Sequence, residues 1–241
     1  MKQPHDNWGT YYDFVYEQTF GNTYSILTNE TLNAINQILT RGTIIDFGAG
    51  TGRLSFPLKD QGYEVIAVEK SIGMVNEFIG KREKNNANIK IYNCSISEYE
   101  NGNANLGIAL FTVLSYSITE DELTNNIESI CKHIKNDGYF FFDLPNEVFF
   151  NAGRLINIDR NNFKRFVELT SDNANSIYTY SEKCSGIFNE NEFSYEDEFK
   201  IRHWSLDKLD RLLNRNGFKD TGRSFPQFNA TGSTYKLYKR V

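Results

Sequence analysis

Ile44–Gly52 reads IIDFGAGTG. Two β-branched residues lead into Asp46 and Phe47, and glycine then takes every second position, at Gly48, Gly50 and Gly52. β-Branched and aromatic residues suit a strand, and glycines beyond its end permit backbone conformations closed to other residues. RLSFPLKDQG follows with the character of a helix that stops at Gly62. Strand, glycine turn and helix make the first half of a βα unit, where unpaired backbone N–H groups can face a ligand.

Working outward, the same unit recurs. YEVIAVE predicts a second strand closing on Glu69, Ser71 caps a helix to about Lys84, and NIKIYN follows the NNAN turn as strand three. GIALF is a continuous apolar run, as expected of a strand covered on both faces. Thr119 and Glu122 form a T-x-x-E capping box for a helix to about Lys135. Asn136–Gly138 then turns the chain into a fifth strand, YFFFDL. Strands alternating with helices at this interval predict a doubly wound, mainly parallel sheet.

Upstream, TYYDFVYEQTF places Tyr12 and Tyr16 on one helix face, and TLNAINQIL predicts a second helix with Leu32, Ile35 and Leu39 on its apolar side. Downstream, the alternation stops between 147 and 200. SIYTYSEKC and NEFSYEDEFKIRHW read as two or three antiparallel strands, with turns at Ser185–Gly186 and Asn189–Asn191. Ser205 then caps LDKLDRLLNRN, Gly217 ends it, and FKDTGRS and TYKLYKR form a terminal strand pair. The expected organisation is one domain: a helical cap at 1–40, a core at 41–146 and 201–241, and an inserted lid at 147–200.

The chain has 241 residues, with 26 basic and 31 acidic side chains for a net charge of −5. That balance lacks the basic face of a nucleic-acid binder. Three cysteines without CxxC spacing fit a reducing, cytoplasmic setting better than a disulfide framework. The opening residues show no secretory h-region, and GIALFTVLSY is about half the roughly 20 residues a membrane helix needs. Aromatic content is high, with 14 Tyr and 19 Phe, enough to build both a core and part of a site.

Two nucleotide readings of IIDFGAGTG fail. A P-loop needs Lys and Ser or Thr after its last glycine, where Arg53 and Leu54 stand. The dinucleotide fingerprint needs a glycine at 53 or 55, which are Arg53 and Ser55. Acid-x-G-x-G-x-G with a second acid ending strand two resembles instead the class I S-adenosylmethionine-dependent methyltransferases. The likeness includes EKSIGM after the strand-two acid, NCSISEY after strand three, NLGIALFTVLSY around strand four, and HWSLDKLDRLLNRNGF near the end.

The resemblance implies a seven-stranded Rossmann-like methyltransferase sheet, an α/β fold with an antiparallel lid after strand five, and S-adenosylmethionine as cofactor. It places the methionine part against Gly48, Ala49, Gly50 and Gly52, with Asp46 and Arg53 beside them, and the ribose on Glu69. Lys70, Met74, Ser95 and Ile96 would surround the adenine, Ser95 standing where the family often has Asp. Phe111, Tyr16 and Tyr24 complete the implied cofactor set.

YYDFVYE resembles the N-terminal tyrosines of small-molecule members, the glycine and amino-sugar N-methyltransferases, and implies a small polar acceptor methylated at N or O. Tyr12 and Tyr16 are the candidates to face a sulfonium; Tyr116 and His203 are further candidates on the acceptor side. Neither an (N/D)PP(Y/F) motif after strand four nor a Pro-Cys pair is present, so nucleic-acid base methylation finds no support. No metal-ligand spacing occurs among His5, His133 and His203. A cofactor-binding protein without activity and a protein or RNA methyltransferase stay open as alternatives, and a homodimer is a possible assembly that the residues alone do not decide.

Overall fold

The computed structural model describes residues 3–151, 153–160, 162–171 and 176–241. Its centre is a seven-stranded sheet. Strands β1 (Thr43–Phe47), β2 (Glu64–Glu69), β3 (Lys90–Asn93) and β4 (Ala104–Ala109) run parallel with β5 (Ile134–Pro145). Four strands β6 to β9 form a separate sheet, and the first sheet is then completed by β11 (Ser233–Arg240), antiparallel to β5, and β10 (Phe218–Asp220), antiparallel to β11. The spatial order is β10-β11-β5-β4-β1-β2-β3. The order reverses between β1 and β4, and ligands bind doubly wound sheets at the carboxyl ends beside such a reversal.

Helices cover both faces. On one side α2 (Asn22–Ile38) and α3 (Ser55–Asp60) pack Leu32, Ile35 and Leu58 against Ile44, Ile108 and Phe141. On the other, α5 (Glu120–Lys132) and α7 (Leu206–Arg215) pack Ile127 and Leu209 against Phe47, Phe140 and Phe142. Alternate residues of one strand thus serve opposite cores. On the α2 and α3 side, α4 (Ile72–Lys84) adds Phe78 to the core and starts where Ser71 accepts from the Met74 N–H at 3.3 Å. The Thr119–Glu122 capping box forms as expected. The helix it starts ends at Lys132 rather than near Lys135, because the chain enters β5 at Ile134. Asn136–Gly138 is a bulge inside β5, with Asp137 at φ 61° and the register to β4 shifting between Ala104 and Leu106.

The insertion holds four antiparallel strands rather than two or three: β6 (Arg154–Arg160), β7 (Phe163–Ser171), β8 (Ile177–Phe188) and β9 (Asn191–Arg202). Ser185–Gly186 is not a turn; both residues lie within β8. Gly186 pairs with Phe163 on one side and Phe193 on the other, and a Cβ there would stand 3.0 Å from the Phe193 ring. The glycine makes room for the neighbouring aromatic. The turn at Asn189–Asn191 does form, with Asn189 and Glu190 at φ 49° and 66°, the paired left-handed residues of a two-residue hairpin. A short helix α1 (Tyr12–Phe20) packs against this second sheet through Val15, Phe163 and Phe193, and α6 (Glu147–Phe150) links the two sheets in sequence.

Candidate active site

A cavity of about 340 Å³ opens at the carboxyl ends of β1, β2 and β4. Gly48, Ala49, Gly50 and Arg53 line it from the first βα turn, and Glu69, Lys70 and Met74 from the second. Ser95, Ile96 and Ser97 form one wall, while Phe111, Val113 and Tyr116 come from the segment after β4. Pro4, His5 and Tyr12 close the side towards the lid.

Local geometry fixes the first turn. The Gly48 and Ala49 N–H groups donate to Val68 O at 2.8 and 3.1 Å, holding the loop onto the neighbouring strand. A Cβ on Gly48 would lie 2.6 Å from Val113, so that glycine is needed for packing. Gly50 differs: at φ 57° its absent Cβ would meet nothing within 4 Å, although it lines the cavity. Its bare face points into open space.

Glu69 is buried and braces both turns. Its Oε2 accepts from the Gly50 N–H at 2.9 Å and its Oε1 from the Ser71 N–H at 2.8 Å. Burial raises its pKa, and the bonds from Ser71 and Gly50 oppose that rise. Asp46 accepts from Ser55 Oγ at 2.7 Å, yet burial still pushes its carboxyl up to about 6. Ser95 donates its hydroxyl to Glu98 at 2.7 Å, which leaves the oxygen's lone pairs available as acceptors.

After β4 the backbone enters left-handed space twice in succession, at Phe111 (φ 73°) and Thr112 (φ 68°). Asp143 on β5 holds this turn: its Oδ1 accepts from both N–H groups, at 2.6 and 3.1 Å. Such backbone is retained only when its surroundings over-determine it, and here it delivers Val113 and Tyr116 to the cavity.

The N-terminal segment is fastened over the second turn. Ser71 Oγ donates to Asp6 Oδ1 at 2.8 Å, and the backbones of Asp6 and Gly9 approach Gly73 so closely that a Cβ on Gly73 would sit 2.3 Å from Asp6 O. Asp13 on α1 accepts from Thr51 Oγ1 at 2.7 Å and pairs with Lys81. These bonds fix a run of aromatic rings. Trp8 stacks on Tyr12 at 5.2 Å, Tyr12 on Tyr16 at 4.4 Å, and Tyr16 lies 5.5 Å from both Tyr24 and Phe111.

The structure brings most of the sequence-derived residues to one place. Asp46, Gly48, Ala49, Gly50, Arg53, Glu69, Lys70, Met74, Ser95, Ile96, Phe111, Tyr12 and Tyr116 all line the cavity. Tyr16, Tyr24 and Gly52 stand behind that lining. Tyr16 is held between Tyr12 and the Arg165 guanidinium, 4.7 Å from its ring. Tyr24 keeps a buried hydroxyl without a hydrogen-bond partner, and the Arg53 guanidinium lies 5.5 Å from its ring. Gly52 packs on Phe56 and Phe78. His203 is outside the cavity: its ring rests on Phe150 at 4.8 Å. The histidine at the site is His5, whose Nε2 and Tyr116 Oη are 2.9 Å apart. No local spacing links residues 111 positions apart, so only the folded chain reveals this pair.

Residues 44–138 match the methyltransferase domain family. A stretch of 102 residues is 28% identical to a provisionally named methyltransferase of Geobacillus sp. (strain WCH70), covering 42% of this chain and 41% of that one. The match thus spans about two fifths of the curated relative. Among solved structures, an S-adenosylmethionine-dependent methyltransferase from Clostridium acetobutylicum superposes with a TM-score of 0.81 at 16% identity, over 95% of this chain and 98% of that one. CalS10, an amino pentose methyltransferase from Micromonospora echinaspora solved with S-adenosylmethionine bound, gives 0.70 at 13% identity over 92% and 93%. The fold is that of the S-adenosylmethionine-dependent methyltransferases. No described helix is long and apolar enough to cross a membrane.

Proposed function

From the match of residues 44–138 to the methyltransferase domain family, we propose that the chain binds S-adenosylmethionine and transfers its methyl group to a small polar metabolite, at nitrogen in preference to oxygen. One observation carries the reading. A single cavity is lined by the bare face of Gly50 and the buried Glu69 together with Tyr12, His5 and Tyr116.

The residues fit the cofactor. Glu69 would take the ribose hydroxyls on its remaining lone pairs, a charge-assisted bond worth about 1.5–3 kcal/mol. Gly50 gives close backbone approach, and Ile96 and Met74 offer apolar surface to a purine. Arg53, which lines the cavity, supplies a cation for the amino-acid end. When bound, the cofactor supplies a methyl carbon on a positively charged sulfur. The protein's part is alignment and water exclusion, which account for much of the rate in a displacement of this type. Tyr12, its ring stacked between Trp8 and Tyr16, and Tyr116 offer hydroxyl oxygens to a cationic centre.

The cavity's volume of about 340 Å³ and its lining by the N-terminal Pro4, His5 and Tyr12 support a small acceptor over a macromolecular one. Three cysteines without a disulfide among them are in keeping with a cytoplasmic setting. Calorimetry with S-adenosylmethionine, followed by assay of S-adenosylhomocysteine formation across a panel of amines and alcohols, tests the proposal. Failure of well-folded protein to take up the cofactor overturns it; uptake without turnover on any acceptor favours a binding protein.

A further inference from the structure

His5, which lines the cavity, has a built environment whose hydrogen bonds the methyl-transfer reading does not use. His5 sits at φ 70°, a conformation uncommon outside glycine. Its N–H donates to Asp197 Oδ2 at 2.9 Å, and the same oxygen accepts from Trp8 Nε1 at 3.0 Å. Trp8 is in turn stacked on Tyr195 at 4.6 Å. The ring is boxed by Trp8, Tyr12, Tyr116 and Phe199, with centroids 5.0 to 5.9 Å away. The only polar outlets are Nε2, facing the Tyr116 hydroxyl at 2.9 Å, and Nδ1, which is buried without a hydrogen bond and lies 3.9 Å from Asp197 Oδ2.

The Asp197 carboxylate favours the tautomer carrying its proton on Nδ1, because that places N–H rather than a lone pair towards negative charge. Nε2 is then bare and accepts the Tyr116 O–H. A hydroxyl whose proton is taken this way presents only lone pairs to the cavity. Resting on the methyl-transfer reading, we propose that His5 fixes Tyr116 as a hydrogen-bond acceptor towards the methyl acceptor, and that the pair thereby selects an amine still carrying an N–H.

The selection acts during transfer. As the amine lone pair forms the new bond to carbon, the carbon–sulfur bond breaks and its electron pair stays on sulfur. Positive charge moves to nitrogen, so its N–H becomes a stronger donor and the bond to Tyr116 Oη tightens. Neither Tyr116 nor His5 gains a proton in this step; the ammonium product releases its proton to water. Tyr116 touches the acceptor and is catalytic, while His5 is a positioning residue. A tertiary amine has no N–H to offer and is disfavoured. An alcohol is disfavoured too, since the pair contains no effective base: burial pushes the His5 imidazole down to about 4 despite Asp197 and Glu182, with Arg165 and Lys70 adding to the depression. Burial also holds the Tyr116 phenol well above its usual range.

The test uses ethanolamine, N-methylethanolamine and N,N-dimethylethanolamine as acceptors with the full chain, reading S-adenosylhomocysteine. Wild type should use the first two and not the third. Tyr116→Phe and His5→Leu should lower kcat/KM for the N–H amines by about 10- to 100-fold and narrow the discrimination, the equivalent of one charge-assisted bond. His5→Gln, whose amide oxygen can still accept from Tyr116, should restore it. A purely structural role would lower all three amines together and would not be rescued selectively; that result, or equal use of the three by wild type, overturns the proposal. If none of the three is turned over by a protein that binds S-adenosylmethionine, nitrogen NMR of the His5 ring decides: a proton on Nδ1 sustains the proposal and a proton on Nε2 overturns it. Absence of cofactor uptake would remove the methyl-transfer reading itself, and this inference with it.

Discussion

Gly50 and Glu69 meet across a 2.9 Å hydrogen bond, and each carries a separate part of the cofactor reading. Gly50→Ala adds a methyl group that collides with no protein atom, so the fold should survive with a loss of about 1–2 kcal/mol for the left-handed backbone. The methyl enters the cavity, and S-adenosylmethionine affinity should fall by about tenfold or more in calorimetry. Unchanged affinity would mean that no ligand rests on this face. Glu69→Gln keeps the shape but removes the charge, and should weaken binding by on the order of tenfold; dialysis showing equal uptake would reassign the ribose site. The G-x-G-x-G spacing made the loop legible but could not say which glycine faces ligand. That depends on Val113 and Phe56, which fill the other two positions from distant or later elements. His5 was illegible for a similar reason, its partners Tyr116 and Asp197 being far away in sequence.

At the scale of elements, the βα alternation was readable because the central strands β1 and β4 are buried on both faces and Ser71, Thr119 and Ser205 cap the helices that start at them. The lid was only partly readable, and β7 explains why. Its inward residues are Phe163, Arg165, Val167 and Leu169, while Phe166 faces out and is 38% exposed. A charge on the buried side and an aromatic on the open side blur the alternation on which strand assignment rests. Arg165 is tolerated inside because Glu182 grips it at 2.8 and 3.1 Å, with Tyr195 donating to the same carboxylate at 2.6 Å and Thr19 accepting the remaining guanidinium contact at 2.9 Å. Removing one partner strands the other. Glu182→Leu should therefore cost about 3–5 kcal/mol in denaturant unfolding, and Arg165→Met combined with it should cost less than Glu182→Leu alone. A double variant as unstable as the sum of its parts would show that the two residues do not act as a pair.

Over the whole molecule, buried titratable groups gather where strands, N-terminal segment and lid converge, and they pull stability in opposite directions with pH. Asp46 titrates near 6 in the folded chain against about 3.9 when unfolded, so between those values the native state holds a proton that the unfolded state has lost. Its contribution therefore falls as pH rises through this window, by about 3 kcal/mol for a shift of roughly two units. His5 does the reverse. Its folded value of about 4 lies below the ordinary 6.5, so between them the unfolded chain holds the extra proton and stability rises with pH by a similar amount. Glu69 and Asp143, both raised by burial, add to the Asp46 direction. His5 therefore offsets only part of the carboxylates' slope in the wild type, and each contribution appears on substitution. Relative to wild type, Asp46→Asn should gain about 3 kcal/mol as pH goes from 4 to 6, and His5→Gln should lose about as much from 4 to 6.5. Urea unfolding across this range reads both, and parallel curves for wild type and either variant would show that the substituted group titrates alike in the folded and unfolded chain.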